Sequence, residues 1–177
     1  MSNYTTIDKH TDYFRTKIYT GNGADDRNIT FDESSNMQPD WLWSARRDSG
    51  DNMSMYDIVR GSGKELRTAS TGAELDRTDN IQALQTNGFQ VGTDSQVNAN
   101  SGTYVSWGWK ASNSSGSANN DGNIASTVSA NTTAGFSIVK WTGTGYAQTV
   151  GHGLGAVPNM IILKEMTSTS NWQVGTH

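Results

Sequence analysis

The chain has 177 residues, a net charge of −4, a pI near 5.2, 33% hydrophobic residues and 19 glycines. The acidic balance argues against a nucleic-acid surface, and the lack of cysteine excludes a disulfide framework and thiolate chemistry. No apolar run is long enough to cross a membrane. Apolar residues come in short bursts between Gly, Asn, Ser and Asp clusters, the pattern of an all-β chain with a core.

Residues 1–13 form a polar arm with Tyr4 and Ile7 as its main apolar points, and no signal-peptide pattern precedes the first strand. Phe14–Thr20 reads as a strand closed by Gly21–Asn22–Gly23, and after Pro39 the run Trp41–Leu42–Trp43 completes a first strand pair. A charged turn over 46–52 follows, then strand character at Met53–Val59. The segment 61–79 is polar, with a short edge strand at 65–68, and 73–84 carries a sparse helical pattern. Ile81–Gln85 and Phe89–Val91 form a hairpin around Asn87–Gly88, a pair suited to the positive φ that such turns need. After a turn at 97–102 comes Tyr104–Val–Ser–Trp107–Gly–Trp109, the second W-x-W of the chain. With a period of two, Val105, Trp107 and Trp109 share one sheet face, expected to be the core face. Residues 112–123 are a Ser/Asn/Gly-rich linker or loop.

The rest of the chain repeats its beginning. Phe14, Tyr19, Gly21 and Gly23 return as Phe136, Trp141, Gly143 and Gly145, and Pro39, Trp41, Trp43 and Asn52 return as Pro158, Met160, Ile162 and Asn171. The chain has only two prolines, and both fall in this register. The predicted organisation is therefore an arm (1–13), a β-sandwich module (14–111), the linker (112–123) and the start of a second copy (124–177). The apolar run Met160–Leu163 predicts a strand buried on both faces. The second copy stops before the module is complete. Either the chain is a fragment of a longer protein or a half-copy completes the first domain, and the fragment is the expectation.

Candidate chemistry is thin. His10, His152 and His177 are scattered, and His152 lies between turn glycines. There is no G-x-S-x-G elbow and no phosphate-loop motif. Asp25–Asp26, Asp48/Asp51 and Glu74/Asp76 lie in predicted loops, where solvated turns are the plainer reading. The oxygen-rich turns 48–52 and 119–123 do not have EF-hand spacing, so no metal ligand is assigned. The six tryptophans, Trp41, Trp43, Trp107, Trp109, Trp141 and Trp172, suit either a sandwich core or stacking on sugar rings. The strand tryptophans are assigned to the core. Trp172, beside the Thr/Ser/Asn run 167–171, is the candidate ligand-binding residue for sugar stacking.

The runs Gly102–Ala111, Val128–Gly143 and Thr149–Leu163, the last with Val150–Gly–His–Gly–Leu–Gly155 before Pro158, resemble a family of modules from virion structural proteins of marine tailed bacteriophages, of tail-fibre or appendage type. The resemblance covers roughly Phe14 onward. It implies a lectin-like β-sandwich in a long, repetitive, oligomeric fibre, and it brings no catalytic residues. The expected fold class is all-β, a jelly-roll or lectin-like sandwich with an internal duplication. The expected function is a non-enzymatic structural component of a phage particle, with no cofactor, contributing to host attachment. The alternatives are a carbohydrate-binding module at a receptor-binding tip and, more weakly, a glycan depolymerase domain. Expected partners are further copies of the chain (a trimer favoured), other virion proteins and a host surface glycan, with no nucleic acid and no membrane insertion. The expected location is the virion.

Overall fold

The structure is a computed structural model that describes residues 7–177. Six residues of the predicted arm therefore lie outside the described residues. A single 3-10 turn at His10–Asp12 precedes β1 (Phe14–Thr20), β2 (Arg27–Ile29), β3 (Trp41–Arg46), β4 (Ser54–Asp57), β5 (Gly61–Arg67), β6 (Leu75–Asp76), β7 (Ile81–Gln85) and β8 (Gly88–Val91). A one-turn helix, α1 (Ser95–Asn98), leads to β9 (Thr103–Trp109). Then come β10 (Ser117–Asn119), β11 (Ser126–Asn131), β12 (Phe136–Trp141), β13 (Met160–Leu163) and β14 (Gln173–Thr176).

The expected all-β sandwich is present. One layer is a six-stranded antiparallel sheet in the order β1-β9-β3-β4-β5-β6, and the other is the three-stranded sheet β2-β8-β7. Between them lies one core. Tyr19, Leu42, Tyr56 and Tyr104 come from the larger sheet, Ile29, Ile81, Phe89 and Val91 from the smaller, and Val97 from α1. Burial of such aliphatic and aromatic side chains is the main driving force for the fold, at about 25 cal/mol per Å² of apolar surface. Two of the core tyrosine hydroxyls find backbone acceptors. The Tyr19 hydroxyl donates to the Val97 carbonyl at 2.8 Å, and the Tyr104 hydroxyl donates to the Ser95 carbonyl at 2.7 Å. Burial pushes the Tyr19 and Tyr56 hydroxyls well above the ordinary tyrosine range, and the nearby Glu65 carboxylate adds to this at Tyr56.

Local chemistry explains most of the elements. Asp94 caps α1, its carboxylate accepting from Gln96 N at 2.8 Å. The sequence predicted only a turn here. The β7–β8 hairpin forms as expected, and Gly88 has φ +110°, where a Cβ would lie 2.0 Å from the Ile29 carbonyl oxygen. The sparse helical pattern at 73–84 gives no helix. Leu75–Asp76 pairs with β5 and Ile81–Gln85 pairs with β8, so sheet pairing overrides the local pattern. Nor do β1 and β3 pair directly. β9 lies between them, with Phe14 and Trp41 both opposite Trp109.

The internal duplication appears in the register itself. In the first hairpin Trp41, Leu42, Trp43 and Ser44 lie opposite Asp57, Tyr56, Met55 and Ser54. In the β13–β14 hairpin Met160, Ile161, Ile162 and Leu163 lie opposite Thr176, Gly175, Val174 and Gln173, every residue 119 positions on. The glycine turns repeat as well, with Gly23 at φ +70° and Gly145 at φ +80°. The surroundings differ. Met160–Leu163 were expected to be buried, yet they are 57%, 45%, 41% and 40% exposed. Their counterparts in β3 have β9 along one edge and a second sheet over the core face. Among the described residues no strand takes the place of β9 beside β13.

Hydrogen bonds fasten the second half to the first, among other places, at the following two. Asp40, fully buried, accepts from Ala111 N at 2.7 Å and Asn113 N at 2.8 Å, where the chain leaves the sandwich. Residues 112–123 are more than a connector, since they include β10, which pairs with β11. The loop between β13 and β14 lies along residues 67–74: Glu74 N donates to the Met166 carbonyl at 2.8 Å and Ser170 N donates to the Thr71 carbonyl at 2.9 Å.

Candidate functional site

The larger sheet has two unlike faces. Along β9, Tyr104, Ser106 and Gly108 are buried toward the core, while Val105, Trp107 and Trp109 are only half-buried on the outer face. The expectation that these three face the sandwich core is therefore corrected: they do share a face, but it is the opposite one. The reason is space. A Cβ on Gly108 would lie 2.9 Å from the Pro39 Cβ and 3.1 Å from the Phe31 ring, and Ser106 meets Ser44 hydroxyl to hydroxyl at 2.9 Å. The core side of β9 admits only small side chains at these points, so the indoles take the other side.

On that outer face the cross-strand neighbours build a continuous aromatic band. Trp43 and Trp107 rings lie 5.7 Å apart, Trp41 and Trp109 lie 4.6 Å apart, and Phe14 approaches Trp109 at 4.7 Å. Phe136 of β12 covers one end, 5.9 Å from Trp41 and 6.4 Å from Trp109. Phe14 and its repeat Phe136 thus meet the same indole. The tilted geometries suit the aromatic quadrupole. Trp43 Nε1 is buried and has no hydrogen-bond acceptor among the described residues. Sequence reasoning assigned five strand tryptophans to the core; four of them build this outer band instead, Trp141 ends β12 37% exposed, and the two phenylalanines were not assigned to a site. Their shared register was the available signal.

Trp172 lies elsewhere, half-buried where β14 begins. Its Nε1 donates to the carbonyls of Arg67 at 3.1 Å and Ser70 at 3.2 Å. With Thr68, Thr71, Asn171 and Gln173 it lines a shallow hollow of about 470 Å³. Its indole N–H is thus committed to the first module, while the hollow beside it is rich in hydroxyl and amide groups. The structure does not bring Trp172 together with the aromatic band.

The titratable groups are mostly engaged in local structure. His152 Nδ1 accepts from Leu154 N at 3.2 Å, the turn role expected of it. Asp48 accepts from Thr103 N at 3.1 Å and from Arg46 Nε at 2.8 Å, and the hydrogen bond from Arg46 holds its carboxyl below the ordinary range. Glu65, a fully buried carboxylate that sequence reasoning did not single out, accepts from Ser54 Oγ and Gln96 Nε2, both at 2.5 Å, and lies 3.2 Å from Arg67 Nε. Among the described residues no group of three His, Cys, Asp or Glu side chains is placed to hold a metal ion.

No curated protein and no solved structure matches the chain. A family model described as a domain of unknown function, DUF7483, matches residues 9–177, which takes in the sandwich, the aromatic band and the repeated hairpin alike. The chain belongs to the DUF7483 family.

Proposed function

We infer that the protein is a non-enzymatic structural module of a phage particle, part of a fibre or appendage of tail-fibre type, acting through surface contact with its own copies, with other virion proteins and with a host surface. The observation that carries this reading is the repeated hairpin. The same four residue pairs recur 119 positions apart in the same register. Modules repeated in tandem stack through neighbour interfaces into long, stiff arrays, which is what a fibre requires. The resemblance of segments 102–111, 128–143 and 149–163 to phage fibre modules supports the same conclusion. An antibody against the chain is expected to label purified particles at a fixed copy number, with the peptide masses recovered from the same particles. A chain absent from washed particles but present in the infected cell would overturn the reading.

The aromatic band supports a second reading, a carbohydrate-binding module. Its particular support is the row of partly exposed indoles, Trp43 beside Trp107 and Trp41 beside Trp109, rings of the kind that stack on sugars. A glycan array separates the two readings. Binding that is lost in Trp41→Ala while the protein stays folded favours the carbohydrate module. An array without signal leaves the structural module.

A further inference from the structure

β3 and β13 are equivalent strands with unequal neighbours. In the first module β3 is flanked by β4 on one edge and β9 on the other, with Trp41 opposite Trp109, Leu42 opposite Gly108, Trp43 opposite Trp107 and Ser44 opposite Ser106. In the second module β14 repeats the part of β4 residue for residue, while the other edge of β13 has no strand among the described residues. The four residues along that edge, Met160–Leu163, are all apolar and all at least 40% exposed. An apolar strand edge with unpaired backbone groups is a template for strand addition.

We propose that the free edge of β13 is a strand-acceptor site, and that its ligand is an extended segment of the β9 kind, with bulky aromatic side chains at alternate positions flanking a glycine. The repeated register specifies the docking. The two aromatic residues lie opposite Met160 and Ile162, the glycine opposite Ile161, and a small polar residue opposite Leu163. Main-chain hydrogen bonds supply the affinity, and the alternating large and small side chains set the frame. The occupant is argued from the interface that β3 and β9 already form within this chain, on the strand that β13 repeats. The inference does not rest on the virion reading and stands or falls separately from it.

The probe is a synthetic peptide with the sequence of residues 102–110, labelled at its N-terminus and added to the full chain. Saturable binding is expected, and Ile162→Lys is expected to weaken it by roughly tenfold or more. Ile162 is 41% exposed and lies outside the sandwich core, so this variant is expected to keep the circular dichroism spectrum of the parent. Two N-methylated versions of the peptide, blocked at alternate amides, are expected to differ, because only one set of amides faces the acceptor edge. Binding that is equal in parent and Ile162→Lys overturns the proposal, as does equal binding of both N-methylated peptides. If the peptide does not bind and the parent chain dimerises through an edge that Ile162→Lys disrupts, the occupant is a second copy and the proposal fails.

Discussion

Gly108 decides the orientation of β9, and with it the character of a whole surface. The neighbouring tryptophans point outward because Pro39 and Phe31 leave no room for a side chain on the other side. The sequence made plain that Val105, Trp107 and Trp109 share a face, since alternation is intrinsic to a strand. It did not show which face, because the deciding contacts come from residues some seventy positions earlier. The consequence can be measured. Tyr104→Ala removes a fully buried ring with two hydroxyl hydrogen bonds and is expected to cost about 3–5 kcal/mol in urea unfolding. Trp107→Ala, on the partly buried outer face, is expected to cost about 1–2 kcal/mol, a loss scaled to partial burial. Equal costs would place the indoles in a core that the structure does not contain. Trp172 was legible as a residue apart from the strand cores, but its hydrogen bonds to Arg67 and Ser70 were not, because the partners are about a hundred residues away.

Among the elements, those set by short-range signals were readable and those set by distant pairing were not. Phe14–Thr20, Phe136–Trp141 and the β7–β8 hairpin follow from β-branched and aromatic runs bounded by glycine turns. The insertion of β9 between β1 and β3 has no local signature, and it explains why Trp41 and Phe14 meet one indole instead of each other. The segment 112–123 looked like a linker because small polar residues dominate it, yet three of its residues pair with β11. Its departure from the sandwich is fixed by Asp40, whose carboxylate receives two backbone N–H groups. Asp40→Ala leaves those donors unsatisfied and is expected to cost about 2 kcal/mol. Limited proteolysis is expected to cut within 112–123 faster in this variant. An unchanged cleavage rate there would show that β10 and β11 hold the segment without Asp40.

At the scale of the whole molecule, two buried tyrosines make stability fall in alkali. Burial raises the folded-state pKa of Tyr19 and Tyr56 above that of an unfolded tyrosine, which titrates near about 10. Each group's contribution is therefore complete below about pH 10 and is lost as the pH climbs from there toward the folded-state value. The loss is expected to reach about 1.4 kcal/mol per pH unit for each tyrosine, read as a falling urea midpoint. Tyr56→Phe is expected to flatten the slope, and a slope unchanged in this variant would assign the alkaline loss to other groups. The exposed residues of the β13–β14 hairpin, Met160–Leu163 with Val174 at 61%, lead to a second expectation. The chain is expected to self-associate at micromolar concentration in sedimentation through the exposed side-chain faces of this hairpin, and Ile161→Glu is expected to reduce that association while the edge of β13 still takes the added peptide. A monomer at every concentration would remove the self-association expected from composition and edges.

The contacts between the β13–β14 loop and residues 67–74 also set how tension travels. Glu74 holds Met166, Thr71 holds Ser170, and Arg67 and Ser70 hold the Trp172 indole, so two points far apart in the chain are clasped together. A pull applied at Gln173 reaches this clasp before it reaches β12 or the segment 112–123. The first sandwich takes up the force through a short path at its edge, and β10, β11 and β12 with the segment 112–123 are bypassed until the clasp opens.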